Sequence, residues 1–395
     1  MEIRELSAEE RPGISLPIQA YAFQASPADD RLAETMRNNQ RYYAGNVTLV
    51  AEEDGVPVAD ASAIPMQQNL RGIVFPMAGV AGVATLPLAR RRGYARALVT
   101  QLLGQMRDAG HVMSALYPFR PSFYQRFGFV GLPRTRTVRF PPECLTDLMR
   151  AELPGEVTCE PAKVGYPAYR GFTQRLLREQ HGFSVLPGYR TMELSDARDR
   201  WLVTARADGE VIAATTYRIT GHAGLLAADD MLTANPLGRA LLLQFFARHV
   251  DQVREVEVQV PAGELPELWV TDMTAMTQAK TSFPDSPAPM ARVLSLTSLV
   301  GLPAGPERVT VEITSDPYIA GEYVLDGRSG SLEITPGAGA GTGAALTAAG
   351  LSGLVYGVLD PDEVVVRGFG DIPRDAAAAL RGLFPRRQPY LFARF

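Results

Sequence analysis

Apolar and polar positions along the first third of the chain follow the order helix, hairpin, strand, helix, strand, helix. A helix is expected over Ala28–Asn39, with Ser26 placed to cap it and Pro27 at its first position. Next, the apolar-rich runs Asn46–Glu53 and Val56–Met66 flank Asp54-Gly55, a dipeptide that favours a tight hairpin turn. A third run, Met77–Leu86, leads into the basic turn Arg90-Arg91-Arg92-Gly93. Beyond it Ala95, Leu98, Leu102 and Met106 recur at helical spacing and predict a helix to about Ala109. Val112–Tyr117 reads as a further strand and Pro121–Phe127 as a short helix.

A weaker copy of this order follows downstream. A helix is expected around Tyr166–Gln180, then strand Arg200–Arg206, a turn at Asp208-Gly209 and strand Val211–Thr220. Ala223–Asp230, a helix over Leu237–Gln252 and a strand over Glu255–Val260 complete it. The Asp-Gly turn precedes the helix-opening glycine by 39 residues in the first copy and by 30 in the second. From about Ser286 the pattern changes. Glu307–Thr314, Gly321–Leu325 and Ser331–Thr335 suggest strands of one antiparallel sheet. The Gly/Ala-rich tract Gly337–Gly350 reads as a flexible loop before a helix. Val364–Gly368 suggests another strand and Asp375–Phe384 a helix, ahead of the apolar end Tyr390–Phe395. The fold class is therefore α/β, with three domains expected: residues 1–150, a similar domain over 151–285, and an α+β domain over 286–395.

Composition narrows the function classes. The chain has 395 residues, 46% apolar and 21% charged, with 36 glycines and 30 prolines, enough to bury a sizeable core while staying rich in loops. A net charge of −4 argues against a broadly basic nucleic-acid surface. Cys144 and Cys159 give neither a zinc pattern nor a disulfide framework, and no metal is expected. The opening MEIRELSAEERPG carries charges where a signal peptide needs an apolar stretch, and no run is long and apolar enough to span a membrane. A cytoplasmic protein with no membrane partner is the expectation. His111, His181, His222 and His249 stand apart from any nucleophile motif, so packed or surface roles are expected for all four. Gly337–Gly343 fits neither a P-loop nor a dinucleotide fingerprint.

The segment Gly82–Arg96 carries the chemistry. A strand holding Val83, Ala84 and Thr85 runs into a turn where a helix starts. The exposed N–H groups of that helix start form an anion cradle, reinforced by the helix dipole. Gly93 and Ala95 leave the backbone open to a phosphate, and Arg90, Arg91, Arg92 and Arg96 are placed to neutralise it. The pattern Arg90-x-x-Gly93-x-Ala95 after this strand resembles the acetyl-coenzyme A pyrophosphate loop of the GNAT superfamily of N-acetyltransferases. About 30 residues on, Phe123-Tyr124-Gln125-Arg126-Phe127-Gly128-Phe129 resembles an FYxxxGF segment found in part of that superfamily. In the second copy Asn235, Pro236 and Leu237 stand opposite Arg90, Arg91 and Arg92, and Pro has no N–H to offer a phosphate. One active site per chain is expected.

Two acetyltransferase-like domains, one degenerate, followed by a small α+β domain with an apolar tail resemble the enhanced intracellular survival (Eis) family of acetyltransferases. Pro289–Leu294 followed by an apolar helix fits the entry to a third domain that, in this family, is sterol-carrier-like. The resemblance implies direct transfer of acetyl from acetyl-coenzyme A to a small-molecule amine, with Val83–Thr85 pairing the pantetheine and the Arg90–Arg96 turn, with Tyr94 in it, holding the pyrophosphate. It implies Tyr124 as general acid, the α-carboxylate of Phe395 as general base, and a homo-oligomer, typically a hexamer. Members that acetylate aminoglycosides need acidic pocket walls. Here Phe119 and Arg120 stand where an acidic wall would be useful, and Ala22-Phe23-Gln24-Ala25 lacks a carboxylate. Arg120, with Phe119, is then assigned to the cofactor side. Asp29, Asp30 and Glu34 are the candidates for negative charge, and a smaller, less cationic amine fits equally well. Two other readings stay open: a protein lysine or N-terminal acetyltransferase, and a coenzyme A-sensing or lipid-binding protein without activity.

Overall fold

The structure is a computed structural model and describes residues 1–24, 26–27, 29–337 and 343–395. The chain divides into two compact units. One comprises Met1–Leu132, His181–Thr191 and Phe283–Phe395; the other comprises Pro133–Gln180 and Met192–Ser282.

In the first unit β1 (Glu2–Glu5), β2 (Val47–Glu53), β3 (Val56–Leu70), β4 (Ile73–Thr85) and β5 (Met113–Leu116) lie side by side in chain order. Asp54 and Gly55 turn β2 into β3 with φ of 52° and 77°, the left-handed pair that a two-residue hairpin demands. Only β4 and β5 run parallel, joined by helix α3 (Tyr94–Asp108). Ala59, Ala61 and Ala63 of β3 are buried with Leu98, Leu102 and Leu103 of α3. By the two-residue period of a strand, Asp60, Ser62 and Ile64 point the other way, toward helix α1 (Arg11–Phe23).

Two local expectations change here. The helix expected from Ala28 begins at Asp30 and runs to Asn38 as α2, capped by the Asp29 carboxylate, which accepts from Leu32 N at 2.7 Å, rather than by Ser26. Ala28 itself lies outside the described residues. Helix α1 has no counterpart in the sequence reading, because Pro12, Gly13 and Pro17 argue against a helix. Its signal was the pair Ser7 and Glu10, whose side chains exchange hydrogen bonds with each other's backbone N–H as in a capping box.

Past β5, the strand Met290–Val293 completes the first sheet, pairing antiparallel with β5 and with Val130–Gly131. An apolar helix was expected after Leu294. A single 3₁₀ turn, Thr297–Leu299, stands there instead, stopped by Gly301 in the left-handed region and by Pro303. A five-stranded sheet follows, in the order Glu333–Pro336, Gly321–Asp326, Arg308–Thr314, Ala344–Thr347, Gly370–Asp371. The three strands expected to pair antiparallel do so, and the sheet as a whole is mixed because Ala344–Thr347 joins Arg308–Thr314 in parallel. Residues 338–342, the middle of the Gly/Ala tract, lie outside the described residues. Helix Ala348–Val355 is buried all round. The strand expected at Val364–Gly368 is a helix, Pro361–Val366. Asp360 and Glu363 close a capping box around Pro361, and this overrides the β preference of three consecutive valines.

Three distant residues clamp this C-terminal sheet domain to the β3–β4 hairpin. Arg71, at the hairpin tip and buried, donates from Nε to Val355 O at 2.7 Å and from Nη2 to Leu354 O and Pro385 O at 3.2 and 3.0 Å. Its backbone N–H donates to His181 Nδ1 at 3.0 Å, and the opposite ring nitrogen Nε2 contacts Tyr356 O at 2.9 Å. These partners fix the neutral ring with its proton on Nε2, and burial pulls the His181 pKa down to about 4. Tyr356 Oη donates to Gln68 Oε1 at 2.7 Å.

The second unit repeats the first topology: Glu156–Pro161, Trp201–Ala207, Glu210–Ile219, Gly224–Asp230 and Val253–Val260 lie in that order, and again only the last pair is parallel. Asp208 and Gly209 have φ of 51° and 80°, the geometry of the first hairpin turn. The helix before the parallel strand is Pro236–Ala247.

Candidate active site

The site starts from an irregularity in β4. Asp60 pairs with Ala84 and Ser62 with Ala81, so Gly82 and Val83 together face the single residue Ala61. This bulge needs φ of +59° at Gly82, which glycine supplies without strain. β5 pairs with β4 only from Met77 to Val80. Beyond that point the β5-facing edge of Gly82–Thr85 is left open, the unpaired backbone that an extended amide-containing ligand can join as a strand.

The β4 edge leads to the turn at the start of α3. Gly93 precedes the helix with φ of +92°, and a Cβ placed there would meet nothing within 4 Å. The helix-start N–H groups therefore stand open to an anion. Arg90, Arg91, Arg92 and Arg96 are all exposed around it. Arg90 folds back to donate from Nε to Thr85 O at 3.2 Å, while Arg92 holds the Glu53 carboxylate with both terminal nitrogens. Tyr94 is buried in the core under α3, and Ala95 is half-buried. The corresponding helix start in the second unit is closed. Asn235 Oδ1 accepts from Gly238 N at 2.9 Å, and a Cβ at Gly238 would come 2.5 Å from Ile212 O. That backbone N–H is already used and no anion can approach it.

At the inner end of the open strand lies a cavity of about 570 Å³. Tyr124 and Phe395, more than 270 residues apart in sequence, both line it, as do Gly82, Val83 and Tyr117. Tyr124 sits on the short helix Pro121–Gln125, 3% exposed, edge-on to Phe119, Phe123 and Phe129. Among the described residues its hydroxyl has no hydrogen-bond partner, and burial pushes the phenol pKa well above its usual value, so it holds its proton.

The C-terminal segment is fixed residue by residue. Tyr390 N donates to His181 O at 3.0 Å, Phe392 stacks on Phe183 at 4.7 Å, and Ala393 N donates to Ser184 Oγ at 3.2 Å. Tyr117 Oη donates to Ala393 O at 3.2 Å and meets the Phe395 ring edge-on at 5.6 Å. Gly79 makes room for that ring, since a Cβ there would lie 2.9 Å from it.

Of the other sequence candidates, Phe119 lines the cavity, whereas Arg120, Ala84 and Thr85 do not. Asp29 is spent on its cap, and Asp30 and Glu34 are exposed outside the cavity, so none of the three supplies negative charge to it. The sequence reading missed the polar wall made by α1 and by the segment after α2. Ser15 Oγ and Gln19 Nε2 both donate to Asp60 Oδ2, the latter at 3.0 Å, and the Gln19 amide lies against Gly82. Asp60 is fully buried and its Oδ1 has no partner, which raises its pKa to about 7. Arg11 and Arg190 also line the cavity. Only the Ser7/Glu10 box gave a sequence signal for any of this wall, and it placed a helix rather than a role.

Comparison with known proteins bears on the domain and the fold that carry this cavity. Residues 2–131 match the Acetyltransferase (GNAT) domain family. They form a GNAT domain. An N-acetyltransferase of Streptomyces avermitilis, itself uncharacterized, is 26% identical over 205 residues, 44% of this chain and 46% of that protein. The N-acetyltransferase Eis of Mycobacterium tuberculosis is 30% identical over 86 residues, 20% of this chain and 21% of that protein. The chain thus spans less than half the length of these curated relatives. Among solved structures, a GCN5-related N-acetyltransferase from Anabaena variabilis superposes over 100% of both chains with a TM-score of 0.82 at 18% identity. Eis1 from Mycobacterium abscessus does so over 100% of both chains at 0.79 and 19%. The GNAT domain and the rest of the chain together share the fold of these proteins.

Proposed function

We propose that the chain is an acetyl-coenzyme A-dependent N-acetyltransferase of the Eis type, with one active site, in the GNAT domain, acting on the primary amine of a small molecule. The observation that carries this reading is the meeting of an open strand edge, Tyr124 and Phe395 at one cavity. Acetyl-coenzyme A supplies the thioester, whose C–S bond is exchanged for a C–N bond to the amine. Backbone groups of Val83–Thr85 orient the donor and the Arg90–Arg96 turn holds its phosphates. The Phe395 carboxylate orients the ammonium and takes its proton, directly or through a water. Tyr124 gives its phenolic proton to the departing sulfur, a role suited to a group that burial keeps protonated. In this reading the second domain keeps the fold without the cofactor, and a sterol-carrier-like third domain serves to deliver the tail. A homo-oligomer, up to a hexamer, and a cytoplasmic location belong to the same reading.

The test is thiol release from acetyl-coenzyme A by protein with an untagged C-terminus, offered aminoglycosides, polyamines, arylalkylamines, hydrazides and a lysine peptide. Release with small amines and not with peptide supports the reading. Appending one residue after Phe395 is expected to lower turnover on the order of a hundredfold or more, as for loss of a general base. Full activity of that extended chain removes the carboxylate from the mechanism.

A further inference from the structure

The cavity has an unusual charge balance for a pocket that is to receive an ammonium group. Among the described residues lining it there is no aspartate, glutamate or lysine side chain, but there are two guanidinium groups, Arg11 and Arg190. Arg11 is 8% exposed. Nη1 donates to Tyr43 O at 2.7 Å and Nη2 to Asn46 O, both neutral carbonyls, and its buried Nε–H has no partner. No carboxylate lies within ion-pair distance among the described residues; Glu5 acts on it only from farther away. Arg190 lies over the Tyr43 ring at 4.7 Å, and its neighbour Tyr189 donates to Asn46 Oδ1 at 2.9 Å. Both guanidinium groups therefore hold the same segment, Tyr43–Asn46, at the edge of one cavity. For Arg11, a buried cation without a counter-charge is costly, and the deficit is removed when an anion arrives that can take its remaining N–H donor. Guanidinium forks match carboxylate and phosphate oxygens in both geometry and charge. This pair also stands apart from the Arg90–Arg96 turn, none of whose residues lines the cavity.

We propose that the acceptor is an amine that carries an anionic group elsewhere in the molecule, with Arg11 and Arg190 holding the anion while the amine is presented toward Phe395 and Tyr124. The proposal rests on the acetyltransferase reading above and deepens it. An amphoteric acceptor explains why the walls hold no acidic side chain. A polycation such as an aminoglycoside would meet the like charge of Arg11, buried and unable to turn away.

Matched amines test the proposal: 6-aminohexanoate against hexylamine, phenylalanine against 2-phenylethylamine, and O-phosphoethanolamine against ethanolamine. Each pair is assayed by thiol release and, independently of turnover, by calorimetric titration. The anionic member of at least one pair is expected to be preferred in kcat/KM and in affinity by roughly tenfold to a hundredfold, as for charge-assisted hydrogen bonds. Whether carboxylate or phosphate members win tells which anion the site takes. Arg190→Gln is expected to bring that ratio close to one by lowering the affinity and kcat/KM of the anionic member far more than those of its uncharged partner. Arg11→Gln, checked for an unaltered melting temperature, is expected to do the same. Equal handling of both members of every pair, preference for a polyamine or aminoglycoside, or a ratio untouched by Arg190→Gln overturns the proposal while acetyl transfer stands. Acetyl-coenzyme A binding with no thiol release from any amine overturns the acetyltransferase reading, and the titrations then still decide whether the anion site exists.

Discussion

The His181 clamp makes a quantitative prediction about pH. The neutral ring accepts from Arg71 N and donates to Tyr356 O, so protonating Nδ1 in place would break the first bond and bury a charge beside Arg71 and Arg387. Its pKa is about 4 in the folded chain against an ordinary 6.5. In the unfolded chain the ring therefore binds a proton that the folded chain refuses, throughout the window between these values. Stability from this group is complete above pH 6.5 and is lost as pH falls toward 4. At 1.36 kcal/mol per pH unit the loss amounts to roughly 3 kcal/mol. Asp60 works in the opposite direction over much of the same window, since its pKa of about 7 lies above the ordinary carboxylate value of 3.8. The wild-type profile by itself would thus look deceptively flat, and a difference measurement is needed. His181→Gln preserves a donor and an acceptor but cannot titrate. Both tryptophans, Trp201 and Trp269, lie in the other unit, so amide hydrogen exchange over residues 66–71 and 354–357 is the suitable readout. Relative to the variant, wild-type protection there should weaken by roughly 3 kcal/mol between pH 7 and pH 4. Parallel profiles for the two proteins would refute the assignment of a neutral, buried His181.

Asp60→Asn isolates the opposing term. Because a raised carboxyl pKa costs stability as pH rises from about 4 to 7, this variant should gain roughly 4 kcal/mol on the wild type across that interval in denaturant titrations of the first unit. Tyr124→Phe should lower kcat by roughly a hundredfold to ten-thousandfold, with acetyl-coenzyme A affinity by calorimetry nearly unchanged; lost affinity would mark Tyr124 as a packing residue. Arg292, fully buried, grips Asp316 at 3.0 Å and donates to Phe127 O. Arg292→Ala leaves the Asp316 carboxylate without its counter-charge and should cost about 3–5 kcal/mol of unfolding free energy in denaturant titrations, whereas a well-packed Arg292→Met with Asp316→Leu should recover much of it.

The parts of this fold legible in the sequence are those decided locally. Asp54-Gly55 and Asp208-Gly209 announced two hairpins because two consecutive left-handed residues are needed there, and both pairs adopt them. The Gly82–Arg96 stretch could be read as a candidate donor site because the chemistry proposed for it resides in consecutive backbone groups, and the structure leaves that strand edge and helix start open. What stayed hidden was decided by distant partners or by caps that overrule propensity. Val364–Val366 read as a strand until the box of Asp360 and Glu363 is counted. Met290–Val293 finds its place through β5 and Val130–Gly131, more than 150 residues earlier. The cationic wall was invisible for the same reason: Arg11 and Arg190 come from separate helices and meet only around Tyr43.

The clamp at the hairpin tip also bears on how such a chain can be inherited. Arg71, His181 and Tyr356 sit in three widely separated stretches of the coding sequence, yet each contributes to one small lattice of hydrogen bonds. A crossover between related genes anywhere from residue 71 to residue 356 would separate at least one member from the others. Chimeras of the acetyltransferase portion of one relative with the tail of another should therefore keep this lattice only when Arg71 and His181 are present and the main-chain path at 354–356 and 385 is matched between the parents. The recombination unit of this chain is then close to the whole chain, whatever the number of domains into which it folds.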